Sequence, residues 1–165
     1  MNAELKRRKP KAGLLLIASP RFKNLYGPKR GTYGDRKAEA VKQIKETMDF
    51  LELVDPGIVY EREDAQKAID LFFREKVDFI YAEFLSWSED FAWIRFLRDC
   101  PEIPIIFCNV AKPKMTFETT LDEDDFVDYL CAGTLVGSLE ASGSIRRVPR
   151  KNVKTIMGTR EEVTE

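Results

Sequence analysis

Residues Ala12 to Ala18 (Ala-Gly-Leu-Leu-Leu-Ile-Ala) form an unbroken apolar run. A strand with one wet face alternates apolar and polar residues; this one does not. Such a run suits a strand covered on both faces. Its neighbours must then supply helices for two layers. They carry the right pattern. Asp35 can cap a helix running to about Leu53, with Ala38, Val41, Ile44, Met48 and Leu51 on one stripe. Asp55-Pro56-Gly57 is a turn, and residues 57–61 form a short second strand. Asp64 can cap a second helix whose inner stripe is Ala65, Ala68, Ile69, Phe72 and Phe73. Residues 77–82 read as a third strand. Ser88 can cap a third helix with Phe91, Ile94, Leu97 and Trp93 facing inward, its end bracketed by Pro101 and Pro104. A fourth strand covers 105–109, and a polar loop runs from Ala111 to about Thr120. A long helix is expected from Asp122 to about Gly143, carrying Phe126, Leu130, Leu135 and Leu139.

Strands alternating with helices imply βαβ units, right-handed crossovers and a mostly parallel sheet. The economical arrangement is a three-layer, doubly wound α/β sheet with strand order 2-1-3-4. Residues Val153 to Met157 fit either a fifth strand of that sheet or the first strand of a following domain. The basic link from Arg146 to Lys151, with its Pro149, favours a boundary there. The expected organisation is a basic arm over 1–11, an α/β domain over 12–145, and a linker with the start of a further domain over 146–165. After Gly158, Thr159 can cap a helix with Glu161 and Glu162 in its first turn. One turn is too short to be stable alone. The chain therefore reads as the front part of a longer protein.

Charge is balanced, 28 acidic against 27 basic residues, so nothing pushes the chain toward nucleic acid or membrane. The run Lys6 to Lys11 is local and reads as a solvated arm. No apolar stretch approaches membrane-spanning length. Cys100, Cys108 and Cys131 form no CxxC pair, which suits buried thiols in a reducing cytoplasm. Histidine is absent. That excludes a Ser-His-Asp or Cys-His mechanism within these residues.

In open parallel sheets, ligands bind beyond the carboxyl ends of the strands. Three loops qualify. The first, Ser19 to Gly34, is long, cationic and aromatic, with Arg21, Tyr26 and Arg30 among its residues. It suits a polyhydroxyl or anionic ligand, or is simply a solvated loop. It matches neither GxGxxG nor GxxxxGK[ST]. The second loop is Glu83 to Ser88. Trp87 beside Glu83 and hydroxyls can stack on a sugar face, bury an interface or pack in the core. The third begins at Asn109, followed by Lys112 and Lys114; Asn109 contacts a ligand or holds the turn. The acidic cluster Asp122 to Asp125 lacks calcium-loop spacing and reads as helix-start charge. Gly133 and Gly137 read as a close helix approach rather than a phosphate cradle.

Some of these residues resemble a known family. Residues 18–27, ending in Leu25-Tyr26-Gly27, resemble the first loop of bacterial L-arabinose isomerases. Residues 87–94 and 103–106 are similar to that group's aromatic loop, Trp-Ile helix and following strand, and 121–126 to its next helix. The nearest likeness is to the L-fucose isomerase-like branch of the L-fucose/L-arabinose isomerase superfamily, over roughly 12–159. The resemblance implies a flavodoxin-like N-terminal domain contributing to oligomer contacts and substrate recognition. It implies aldose–ketose isomerisation in the full-length protein, with a divalent metal, usually manganese, held by carboxylates and a histidine of later domains. No metal ligand or catalytic residue carries over to this chain, which is expected to be catalytically silent alone. Tyr26 and Trp87 carry over as substrate-contacting positions. Where typical arabinose isomerases have Gln-His before the Leu-Tyr-Gly, this chain has Lys23-Asn24. The expected site is thus Arg21, Tyr26, Arg30, Glu83, Trp87 and Asn109, with a monosaccharide as ligand and a homo-oligomer as the assembled state. The alternative is a stand-alone flavodoxin-like binding or regulatory module.

Overall fold

The computed structural model describes residues 8–24, 26–27, 31–111, 134–148 and 150–164. The chain opens with β1 (Lys11–Ile17) and a 3-10 turn, Pro20–Phe22. A small antiparallel ribbon follows, β2 (Tyr26–Gly27) with β3 (Gly31–Thr32). Then come α1 (Tyr33–Thr47), β4 (Glu52–Val54), β5 (Ile58–Val59) and α2 (Arg62–Glu75). They are followed by β6 (Phe79–Phe84), α3 (Phe91–Asp99) and β7 (Ile105–Val110). Helix α4 (Thr134–Arg147), β8 (Val153–Gly158) and α5 (Arg160–Thr164) complete the described chain.

The main sheet is parallel throughout, with β1 between β6 and the pair β4/β5, then β7 and β8 outward. Strands β4 and β5 are two pieces of one edge strand. The first pairs with Lys11 to Gly13 and the second with Leu16 and Ile17. Between them, Pro56 has no amide hydrogen to donate. The Gly57 N–H turns to Asp55 Oδ1 (2.9 Å) with φ at +88°. Counting that pair once, the order is 2-1-3-4-5, a flavodoxin-like, doubly wound sheet. Of the two places open to residues 153–157, the strand takes the one in this sheet, in register with β7 from Ile105 opposite Val153 to Val110 opposite Gly158.

Alternate residues feed two cores. On one face Leu15, Ile17, Ile80, Ala82, Phe84 and Phe107 pack against α2, α3 and α4. Trp93 is fully buried there. Its ring stacks on Phe107 at 5.1 Å, and its Nε1 donates to the Ala141 carbonyl at 3.3 Å. On the other face Leu14, Leu16, Ala18, Tyr81 and Cys108 pack against Ile44 of α1 and Met48 just after it. Val163 of α5 joins that face. Thr159 and Glu162 exchange a capping box: the Thr159 N–H donates to Glu162 Oε2 (2.7 Å), and the Glu162 N–H donates to Thr159 Oγ1 (3.4 Å). Tertiary packing thus supplies what one helical turn lacks.

Several boundaries differ from expectation. Helix α1 stops at Thr47 because Glu52–Val54 joins the sheet instead, and Ala38 faces solvent. Helix α2 begins at Arg62; Asp64 lies inside its first turn and accepts from the Tyr60 N–H at 3.3 Å rather than serving as the N-cap. Helix α3 begins at Phe91 after Asp90, not after Ser88. Its buried stripe is therefore Ala92, Trp93, Phe96 and Leu97, while Phe91 is turned outward, as is Phe73. Helix α4 continues past Gly143 to Arg147. Its expected start at Asp122, the cluster Asp122 to Asp125, Phe126, Leu130, Cys131 and Gly133 lie outside the described residues.

Candidate functional site

Among the described residues, the buried polar side chains gather at the carboxyl end of the sheet. Ser19 follows β1, Glu83 is the penultimate residue of β6, Ser86 and Ser88 follow β6, and Asn109 is penultimate in β7. Ser144 of α4 joins this end by donating to Asp90 Oδ2 at 2.8 Å. Buried polar groups must be paired to be tolerated, so their concentration at one end marks it as special.

Strands β1 and β6 are neighbours here, and their chains depart to opposite faces, β1 toward α1 and β6 toward α3. This is the topological switch point, where loops diverge and leave a crevice. The two loops are tied together across it. The Ser19 N–H donates to Ser86 Oγ at 3.3 Å, and Ser19 Oγ donates to Glu89 Oε2 at 2.9 Å. Ser19 also caps the 3-10 turn, accepting from the Arg21 N–H at 3.2 Å. That turn, fixed by Pro20, projects Arg21 onto Glu89, with Nε 2.6 Å from Oε1. The Arg21 guanidinium also lies 5.5 Å from the Trp87 ring centre, and Phe22 tilts against the same ring at 6.2 Å.

Beside this tie is a cavity of about 340 Å³. Pro20 and Arg21 form one wall, Glu89 and Phe91 a second, and Tyr60 to Glu63, where β5 runs into α2, the third. Lys23 Nζ lies 5.1 Å from the Tyr60 ring, and the Arg62 guanidinium 5.2 Å from the Phe91 ring. Burial, and after it the neighbouring Asp64 carboxylate, raise the Tyr60 phenol above its ordinary 10.0. Tyr60 therefore stays a neutral hydroxyl at physiological pH. An ion pair, the Tyr60 hydroxyl and the Tyr60 and Phe91 rings thus line one cavity.

Of the expected site residues, Arg21 and Trp87 come together here. Glu83 does not join them. It lies within β6 rather than in the loop after it, on the α1 face, where it accepts from the Tyr81 hydroxyl. Asn109 is on the opposite face, with Ile105 and Phe107; it is buried, and its Oδ1 has no hydrogen-bond partner among the described residues. Tyr26 sits in the β2–β3 ribbon opposite Thr32, and Arg30, like Lys112 and Lys114, lies outside the described residues. Sequence reasoning missed Ser19, Tyr60, Ser86, Glu89 and Phe91. Their signal was the junction of β5 with α2, a fourth strand-to-helix connection at the carboxyl end, and the acid two residues after Trp87.

Among the described residues no group of three or more His, Cys, Asp or Glu side chains is placed to hold a metal ion. No helix among them is long and apolar enough to cross a membrane. Compared with known protein families the chain matches none, and no curated protein matches it.

Proposed function

We propose that this chain is a monosaccharide-recognition and assembly domain of an aldose–ketose isomerase related to the L-fucose/L-arabinose isomerases. The observation that carries the recognition part is the Ser19–Arg21–Glu89 cluster beside Trp87, opening on a cavity at the switch point. A sugar hydroxyl both donates and accepts. A guanidinium, a carboxylate and neutral hydroxyls offer it both functions, while an aromatic wall covers the C–H face of the ring. Arg21, Glu89 and Ser19 take the hydroxyls in this reading, and Trp87 or Tyr60 takes the ring face.

The sugar class and the isomerase assignment come from the resemblance of residues 18–27, 87–94, 103–106 and 121–126. Isomerisation needs an electrophile to polarise the carbonyl and a base to move the proton. The described residues do not assemble a metal site. In the family that these residues resemble, manganese is held by later domains; the reading accordingly gives the metal to those domains and the binding of the sugar to this chain. The same reading makes the full-length protein a homo-oligomer of the cytoplasm.

Tryptophan emission tests the recognition step. Trp93 is fully buried and Trp87 half-buried, so a sugar at the cavity changes Trp87 emission over a constant Trp93 background. The expected result is a saturable change with L-arabinose or L-fucose that disappears in Trp87→Phe. No saturable change with any pentose or deoxyhexose would sink the proposal.

A further inference from the structure

Strand β8 closes one edge of the main sheet. Its inner side pairs with β7, and among the described residues nothing pairs with its outer side. The parity of that outer side is fixed. The Ile105 N–H donates to the Asn152 carbonyl at 2.9 Å and the Ala111 N–H to the Gly158 carbonyl at 2.8 Å, so even-numbered residues turn their backbone groups toward β7. Val153, Thr155 and Met157 therefore turn theirs outward, each offering an N–H and a C=O. Proteins blunt or cover such an edge, because it is a template for another strand. Here Lys154 is the only charged residue of β8, which is a thin guard. Met157, on the face where Val153 packs against the α2, α3 and α4 core, is 59 % exposed.

We infer that a second copy of this chain covers the edge, its β8 antiparallel to the first about a two-fold axis at Thr155. Such a pair supplies the assembly half of the reading above and rests on that half alone, not on sugar recognition. Three constraints set the register. Only outward residues exchange ladder bonds, so odd-numbered residues must oppose odd-numbered ones. An axis at Thr155 sets Val153 opposite the partner's Met157 and Thr155 opposite the partner's Thr155, which uses every outward N–H and C=O of β8. An axis at Lys154 would set two ammonium groups against each other, and one at Ile156 would carry Val153 past the end of the partner strand. At Thr155 the exposed Met157 finds an apolar neighbour, the two threonine hydroxyls meet, and Lys154 lays its stem along the partner's Ile156. The flanks are complementary too. Exposed Lys151 and Lys154 mark the entry to β8, and Glu161 and Glu162 the first helical turn after it. Antiparallel pairing brings the basic entry of one copy to the acidic exit of the other.

Sedimentation equilibrium of the chain, from micromolar to millimolar, tests the interface. The wild type should pass from monomer to dimer as concentration rises, because pairing one short strand buries little area and gives a weak complex. In Thr155→Pro the lost N–H points outward, so β7 keeps its bonds while the dimer loses one bond from each copy. Its dimerisation should weaken by about fivefold to a hundredfold, the net worth of those hydrogen bonds. Thr155→Cys leaves the backbone as it is. A short bismaleimide should join it to its copy, while it leaves Gln43→Cys, exposed on α1, unjoined. A wild type that stays monomeric overturns the inference. So does a dimer that Thr155→Pro leaves unweakened, or a Thr155→Cys that joins no better than Gln43→Cys. The Trp87 emission titration runs alongside. A saturable sugar response without a dimer sinks the interface and leaves recognition standing; a dimer dependent on Thr155 without that response supports the interface and removes recognition.

Discussion

Replacing Arg150 with alanine should loosen the edge of the sheet. Its guanidinium spends all of its donors on oxygens. Nε donates to Asn152 Oδ1 at 3.2 Å; Nη1 donates to the carbonyls of Leu97 (3.3 Å) and Cys100 (3.1 Å); Nη2 donates to those of Pro101 (2.7 Å) and Ile103 (3.0 Å). A cation thus sits at the carbonyl end of α3 and clamps it to the connection entering β8. Hydrogen bonds to a charged group contribute about 1.5–3 kcal/mol each at most. Their sum is not recovered here, because the Pro101 contact is exposed and water can replace part of the set. The charge at the helix end adds about 0.3–1 kcal/mol. Two bonds at the low end of that range, about 1.5–2 kcal/mol each, plus the helix-end charge give a net loss of about 3–5 kcal/mol for Arg150→Ala. For a chain of this size that lowers the melting temperature by roughly 6–20 °C. Arg150→Lys keeps the charge but not the planar fork, and should recover less than half. Urea denaturation of the three proteins supplies the free energies, and amide exchange on residues 153–158 should quicken first in the alanine variant. A loss below about 1 kcal/mol, or full rescue by lysine, would refute the clamp.

Two further outcomes are expected. A Cβ at Gly13 would lie 2.8 Å from two ring carbons of the fully buried Phe72, which also meets Phe96 edge-on at 6.1 Å. Gly13→Ala should therefore cost about 1–3 kcal/mol in urea, and an unchanged midpoint would mean the ring is not packed on β1. The Asp78 carboxyl is held below its ordinary 3.8, first by the Lys11 backbone N–H and also by Arg8, against the opposing effect of burial. A carboxyl depressed in the folded state contributes stability above its unfolded value and loses it as pH falls through the lower folded value. The urea midpoint should drop below about pH 3.9, with a shallower slope in Asp78→Asn; identical slopes would show that the contact does not survive in solution.

The central strands were legible because burial on both faces leaves a mark no other element shares. The runs at 12–18, 77–82 and 105–109 all became interior strands, displaced by no more than two residues at either end. Helix ends were less legible. Leu51 and Leu53 fit the stripe of α1 as well as they fit a strand, and only the partner β1 decides for Glu52–Val54. The start of α3 was misplaced by a hydroxyl that has other work: Ser88 Oγ donates to the Glu89 carbonyl at 3.1 Å instead of capping. At the site, Arg21 and Trp87 could be named from the rule about strand ends. Ser19 and Glu89 are 70 residues apart, and their bond exists only because β1 and β6 are neighbours. The separation of Glu83 from Asn109 was readable in principle. Their parities on adjacent strands, with Glu83 opposite Cys108, put them on opposite faces.

The most direct measurement is an amide-resolved NMR titration of the chain with L-arabinose. Binding at the switch point predicts saturable shifts in residues 19–22, 60–63 and 86–91, with the amino ends of the strands and the Arg150 clamp unmoved. Saturable shifts centred elsewhere, or none at sugar concentrations up to tens of millimolar (roughly −2.5 kcal/mol of binding at that limit), would contradict the account.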